Sequence, residues 1–213
     1  MQNRIMGLLL GLCVIASGAA AQDGARVAAE SVRARWEHAN FELRGDAQRA
    51  ALKALTEDCD GVARARDAGA ALLTWCGISY SSYAGVKGGL GALGAAKEAR
   101  RLLERAVSIE RGAVNGAALC SLGTLYAKVP GWPLGFGSDD KAERYLTEAL
   151  QVAPSDIDNN YFMADFLYAE QREPEARHYL ERARHAAQRP GREIADRGRQ
   201  AEIRSLLARI NHQ

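Results

Sequence analysis

A nine-residue pattern recurs along this chain and limits what it can become. Glu98–Ala106 reads EARRLLERA, Lys141–Ala149 reads KAERYLTEA and Glu175–Ala183 reads EARHYLERA. All three share A-x3-L-x2-A, as Ala99/Leu103/Ala106, Ala142/Leu146/Ala149 and Ala176/Leu180/Ala183. Ala and Leu spaced by three and four residues occupy one helix face, and the alanines let a neighbouring helix approach closely. Self-similarity at a few tens of residues marks a stacked helical array, in which no unit buries its apolar face alone. The pattern points to a scaffold or binding surface before any catalytic residue is considered.

Each copy follows a second helix with its own signature. Leu73-x3-Gly77-x2-Tyr80 and Leu119-x3-Gly123-x2-Tyr126 match one another, and Ala164 with Leu167 and Tyr168 forms a looser third version. Gly or Ala suits the point where two antiparallel helices cross, since a larger side chain pushes the axes apart. Pro154 stops one helix before Ser155 and Asp156 cap the next. At these residues the chain resembles a tetratricopeptide repeat (TPR) array, whose usual spacing is met by the 12 residues from Ala164 to Ala176. The resemblance implies an all-α, right-handed TPR-like array of about three helix pairs across 69–187. An N-terminal helical pair with its connection (22–68) precedes it, and a C-terminal capping helix (188–213) follows.

Within the N-terminal pair, Ala25–Leu43 and Asp46–Leu55 read as helices, with Gly45 as a C-cap and Asp46 as the next N-cap. Asp58–Ala68 reads as the connection into the array. At the other end, Gln188–Gly191 breaks the last repeat helix. Ile203, Leu206, Leu207 and Ile210 then form the apolar stripe of the cap.

The N-terminus fixes the expected compartment. Arg4 is the lone charge, Ile5–Ile15 is apolar, and Ala19-Ala20-Ala21 supplies a small-residue cleavage site before Gln22. These are the marks of a secretory signal peptide, 1–21, cleaved after Ala21, and they imply a periplasmic or secreted protein. No later apolar run is long enough for a membrane span. Export also argues against nucleic acid as a partner, and the formal net charge of +2 favours no partner class. The ten Arg against six acids over residues 171–210 read as the solvated face of the cap rather than as an anion-binding patch.

Of the cysteines beyond the leader, Cys59 and Cys76 stand 17 residues apart on successive helices, a separation that suits a disulfide in an oxidising compartment. Cys120, among Leu119, Leu122 and Leu125, reads as a small core residue. No His accompanies the cysteines at zinc spacing, and no metal site is expected.

The first two units depart from the repeat at one place. Gly77 to Ala99 spans 22 residues and Gly123 to Ala142 spans 19, against 12 in the third unit. Inserts therefore fall in the turn between paired helices, at 85–94 and 129–138. Equivalent inserts from stacked units emerge on one edge, so the two loops are expected to touch there and to carry recognition more than the concave groove does. Lys87, Trp132 and Phe136 are the candidate contacts. The rival reading makes Trp132 and Phe136 a plug that serves only stability. By the TPR resemblance, the first helix of each pair lines the concave face, which places Thr74, Ile78, Ser81, Thr124, Lys128, Tyr161, Asp165 and Tyr168 along the groove.

Other motifs carry less. Gly89–Gly94 is a literal G-x-G-x-x-G, but it follows a repeat helix rather than a strand, so a nucleotide-using enzyme is a remote alternative. Asp156-x-Asp158-x-Asn160 begins like a calcium loop yet lacks the turn glycine and closing glutamate, and helix capping explains it better. With no nucleophile motif, the chain reads as a non-enzymatic, cofactor-free scaffold binding a protein or peptide. One narrower likeness remains. Gly123–Gly131 with Lys141, Ala142 and Ala149–Pro154 is similar to the periplasmic T-component of TRAP-type solute transporters, which implies an accessory role in solute transport. Lys87–Gly94 together with Val129–Gly137 resembles the broader group of exported bacterial TPR proteins, the preferred reading.

Overall fold

The computed structural model describes residues 24–65, 67–89 and 91–212. The expected signal peptide lies outside the described residues. Among those described, the chain is all-α: nine helices follow one another and pack in adjacent pairs as a helical repeat array. Helix α1 covers 24–37 and runs on through the π-helical turn His38–Glu42. It is followed by α2 (Gly45–Arg64), α3 (Ala70–Lys87), α4 (Ala92–Ile109) and α5 (Ala113–Lys128). The remainder are α6 (Asp139–Val152), α7 (Ile157–Ala169), α8 (Glu173–Arg184) and α9 (Glu193–Asn211).

The repeated stripe does what its spacing implies. Ala99, Leu103, Ala106, Ala142, Leu146, Ala149, Ala176, Leu180 and Ala183 are all buried. Each stripe faces the preceding helix, giving the pairs α3/α4, α5/α6 and α7/α8. The crossing glycines set the separation. A Cβ on Gly77 would lie 2.6 Å from Leu103 Cγ, and one on Gly123 would lie 2.6 Å from Leu146 Cγ. The odd-numbered helices α3, α5, α7 and α9 also touch in series and form the inner layer. Helix α3 shows the consequence, because Leu73 through Ser79 are buried without a break.

Caps end the helices largely where the sequence places them. Ser138 Oγ accepts the Lys141 N–H, and Asp156 Oδ1 accepts the N–H groups of Asp158 and Asn159 at 2.9 and 3.1 Å. The α1–α2 junction is different. Gly45, at φ +58°, opens α2 instead of closing α1, and the Asp46 carboxylate pairs with Arg49 instead of capping. Helix α2 also runs nine residues past Leu55, to Arg64, through the stretch expected to be a connection. Leu52, Leu55, Thr56 and Cys59 keep the i, i+3, i+4, i+7 face buried, and Cys59 is joined to Cys76 of α3 by a disulfide.

The two inserts have different fates. Most of 85–94 is helical, since α3 continues to Lys87 and α4 starts at Ala92. Ala84 is buried and Val86 packs on the core, which rewards the extra turn. The helix ahead of Gly89 bears out the objection to a dinucleotide fold, and Leu90 lies outside the described residues. The second insert, Val129–Ser138, stays a loop.

One sharp local feature has no counterpart in the sequence pattern. Val114, Asn115 and Gly116 take left-handed conformations in succession, at φ +52°, +54° and +75°. For a β-branched residue such as Val114 this is strained backbone, worth about 1–3 kcal/mol. Asn159 holds the turn: its buried Nδ2 donates to Asn115 O at 3.1 Å and to Ala149 O at 3.0 Å.

Candidate functional site

The candidate residues fall in two places: the loop edge and the inner face of the array. On the edge, Val129–Ser138 folds as a compact turn. Leu134 and Gly135 donate their N–H groups to Gly131 O, Gly137 donates to Pro130 O, and Ser138 donates to Tyr126 O. A Cβ on Gly135 would strike Pro130 O and one on Gly137 would strike Val129 O, so this turn admits only glycine at both positions.

That turn separates the two aromatics. Phe136 is half-buried, edge-to-face with Tyr126 at 5.5 Å, and the Arg100 guanidinium lies 4.3 Å from its ring centroid. Phe136 thereby anchors the loop on α4 and α5. Trp132 is 89% exposed and Leu134 67% exposed. One loop thus holds a packed aromatic, Phe136, and an exposed one, Trp132. Lys87 is exposed and lies over the ring of Tyr83 in its own helix.

On the concave face, the chain termini cover what a simple array leaves open. Trp36 of α1 packs at 5.6 Å from Trp75 of α3, and its Nε1–H donates to Ser82 Oγ at 2.9 Å. Arg33 donates to Gly191 O at 2.9 Å, and Arg192 pairs with the buried Glu37. Phe41 lies against Gly198, where any Cβ would collide with its ring. Thus α1 meets α9 and the turn before it, across the face of the inner layer that α3 and α5 present.

Between them remains a cavity of about 100 Å³. Trp36, Trp75, Ile78 and Phe162 supply apolar walls, while Ser81, Ser121 and Thr124 add hydroxyls. Its far end is charged, with Asp156 and Asp158 facing Arg189, Arg192 and Arg199. Asp158 accepts from Arg189 at 2.8 Å and Arg199 at 2.7 Å. Burial opposes its charge, but Arg199, Arg189 and Arg192 outweigh that and hold its carboxyl well below the usual carboxylate range. Asp156 moves the other way, pushed up by burial and by the Asp158 charge. Burial raises the Tyr161 phenol to about 12 and the Cys120 thiol well above its ordinary value, so neither is a ready nucleophile.

The groove residues named from the TPR resemblance fall into three groups. Ile78, Ser81 and Thr124 line the cavity. Lys128 and Asp165 form a 2.7 Å ion pair near its Thr124 side, and Tyr161 and Tyr168 lie under Arg199 and Arg209 of α9. Thr74 is fully buried, with its hydroxyl returned to Ala70 O.

The arginines at the cavity were not identified as site residues, and three of the late arginines correct the solvated-face reading. Arg199 is 4% exposed, and the Arg189 and Arg192 side chains are mostly buried. A signal for this exists: Asp196 and Arg199 continue the Ile203/Leu206/Ile210 stripe backwards by three and four residues, so they face inward with it. No group of three or more His, Cys, Asp and Glu side chains that could hold a metal occurs among the described residues. No helix among them is long and apolar enough to cross a membrane. Compared with known proteins, the chain matches no family model and no curated protein.

Proposed function

We propose that this protein is a non-enzymatic, TPR-type scaffold of the exported compartment that holds a protein partner by its loop edge. The observation that carries the reading is Trp132, 89% exposed at the tip of a loop whose backbone is fixed by glycine turns and by Phe136. A large aromatic side chain held rigidly in water costs little conformational entropy when a partner covers it, the usual character of an interface anchor. Leu134 beside it widens the apolar contact.

The concave face supports the same choice of edge over groove. With α1 and α9 across it, about 100 Å³ remains, too little for an extended peptide segment. The Cys59–Cys76 disulfide supports an oxidising compartment. A photo-crosslinking amino acid at position 132 tests the proposal in cells, with the same group at position 165 as the groove control. The reading expects a discrete crosslinked protein from position 132 and little from 165; the reverse pattern overturns it.

A further inference from the structure

Helix α1 is attached to the array differently from the helices of the repeats. Over 24–42 the buried residues are Ala29, Trp36, Glu37 and Ala39, whereas half of the 18 residues of α3 are buried. Ala29, Val32, Trp36 and Ala39 form one narrow stripe at i, i+3, i+7 and i+10. The rest of the hold comes from distant parts of the chain and is largely polar. Trp36 Nε1–H donates to Ser82 Oγ, Arg33 donates to Gly191 O, and Glu37 pairs with Arg192, while Phe41 rests on Gly198. The contact is also incompletely filled. The cavity of about 100 Å³ lies in it, with Trp36 on one side and Trp75, Ile78, Ser81 and Ser121 on the other. A well-packed core leaves few voids larger than a water molecule, and one with serines in its lining admits water.

An element with a narrow apolar stripe, polar tethers and an unfilled contact opens locally at lower free energy than the core beneath it. Leaving the face requires a bend only at Leu43 and Arg44, the extended residues before α2. We infer that α1 is a displaceable strap, a built-in occupant of the α3/α5 face that a second amphipathic helix of the same pattern can replace. What α1 leaves behind defines the replacement. Trp75 offers an aromatic wall, Ser82 Oγ accepts an indole N–H, and the Arg192 guanidinium calls for a carboxylate one residue further along. Small residues at the Ala29 and Ala39 positions let the helix lie close. The fitting partner is therefore a helix that carries a Trp–Glu pair between alanines. With α1 seated the face is closed to other segments, so this inference goes beyond the loop-edge reading and does not rest on it.

The probe is a fluorescein-labelled peptide of residues 24–43, titrated into the purified protein and followed by anisotropy. The tethered α1 competes at high effective concentration, so the parent should bind the peptide weakly. Trp36→Ala in the protein loosens the strap and leaves the Trp75 wall open. This variant should bind the peptide about tenfold or more tighter than the parent does, and a peptide that itself carries Trp36→Ala should lose the gain. If Trp36→Ala does not fold, Glu37→Gln in the protein, set against a Glu37→Gln peptide, makes the same comparison. Hydrogen exchange of the parent gives a readout that needs no variant. Amides of 26–42 should exchange by local opening, about tenfold or more faster than those of α3. The inference is overturned if the peptide does not saturate the loosened protein, or if it binds parent and variant alike. It is equally overturned if the Trp36→Ala peptide binds as well as the unaltered one, or if α1 amides are as protected as those of α3.

Discussion

The Cβ that Gly123 lacks would stand 2.6 Å from Leu146 Cγ and 3.0 Å from Ala142 O, so the α5/α6 crossing is set by the absence of one carbon. Gly77 stands in the same relation to Leu103 in the preceding pair. Gly123→Ala should therefore destabilise the protein despite its better helix propensity. Overpacking of about 1–3 kcal/mol is expected. For a chain of this size each kcal/mol corresponds to a fall of about 2–4 °C in melting temperature. A variant that melts at or above the parent would show that the helices separate freely.

The disulfide makes a second contribution. Cys59 and Cys76 close a loop of 17 residues between α2 and α3. In the chain-entropy model a loop of that length is worth about 3 kcal/mol. Cys59→Ala with Cys76→Ala should lower the urea midpoint accordingly. Equal midpoints for the double variant and the oxidised parent would remove the staple from the stability account.

The loop aromatics should part company on substitution. Phe136→Ala removes a half-buried ring from Tyr126 and Arg100 and should cost about 1–3 kcal/mol, below the range for a fully buried Phe. Trp132→Ala removes an exposed side chain and should change stability by less than about 0.5 kcal/mol. Thermal melts of the two variants, side by side, check both expectations.

Acid should weaken the α7–α9 contact. The folded Asp158 carboxyl titrates below its unfolded value, so its contribution is present above about pH 4 and is lost as pH falls through the lower folded value. Asp156 and Glu202 are shifted upward, so protonating them on the way down offsets part of that loss. Asp158→Asn should flatten the acid limb of a stability–pH profile below pH ~4. It should also cost about 3–5 kcal/mol near neutrality, because Arg189 and Arg199 lose their shared carboxylate. An unchanged slope in that window would exclude Asp158 as the titrating group.

What the sequence disclosed follows from the range of the forces involved. The A-x3-L-x2-A stripes, Gly77, Gly123 and the Asp156 cap act within a helix or between chain neighbours, and local periodicity reports them directly. The continuation of α2 to Cys59 follows the same periodicity, but the charged run after Leu55 resembles a connection. Helical continuation through 85–87 was hidden by glycines that usually signal a loop. The cavity lay furthest from view. It depends on α1 meeting α9 and the turn before it, where Arg33 reaches Gly191 across 158 residues of sequence, and no local pattern encodes that meeting. Val114 in left-handed backbone is likewise set by tertiary contacts against its own preference, beside Asn115, which tolerates that region and is held by Asn159.

The edge at Trp132 is proposed to carry recognition, and the fold is expected to stand without it. Once a crosslinked partner is in hand, its affinity for Trp132→Ala/Leu134→Ser, measured beside the melting temperature, is the most direct test. Binding should weaken by about tenfold or more, as expected for loss of an aromatic anchor, with melting unchanged. Undiminished binding by a variant that melts normally would contradict it.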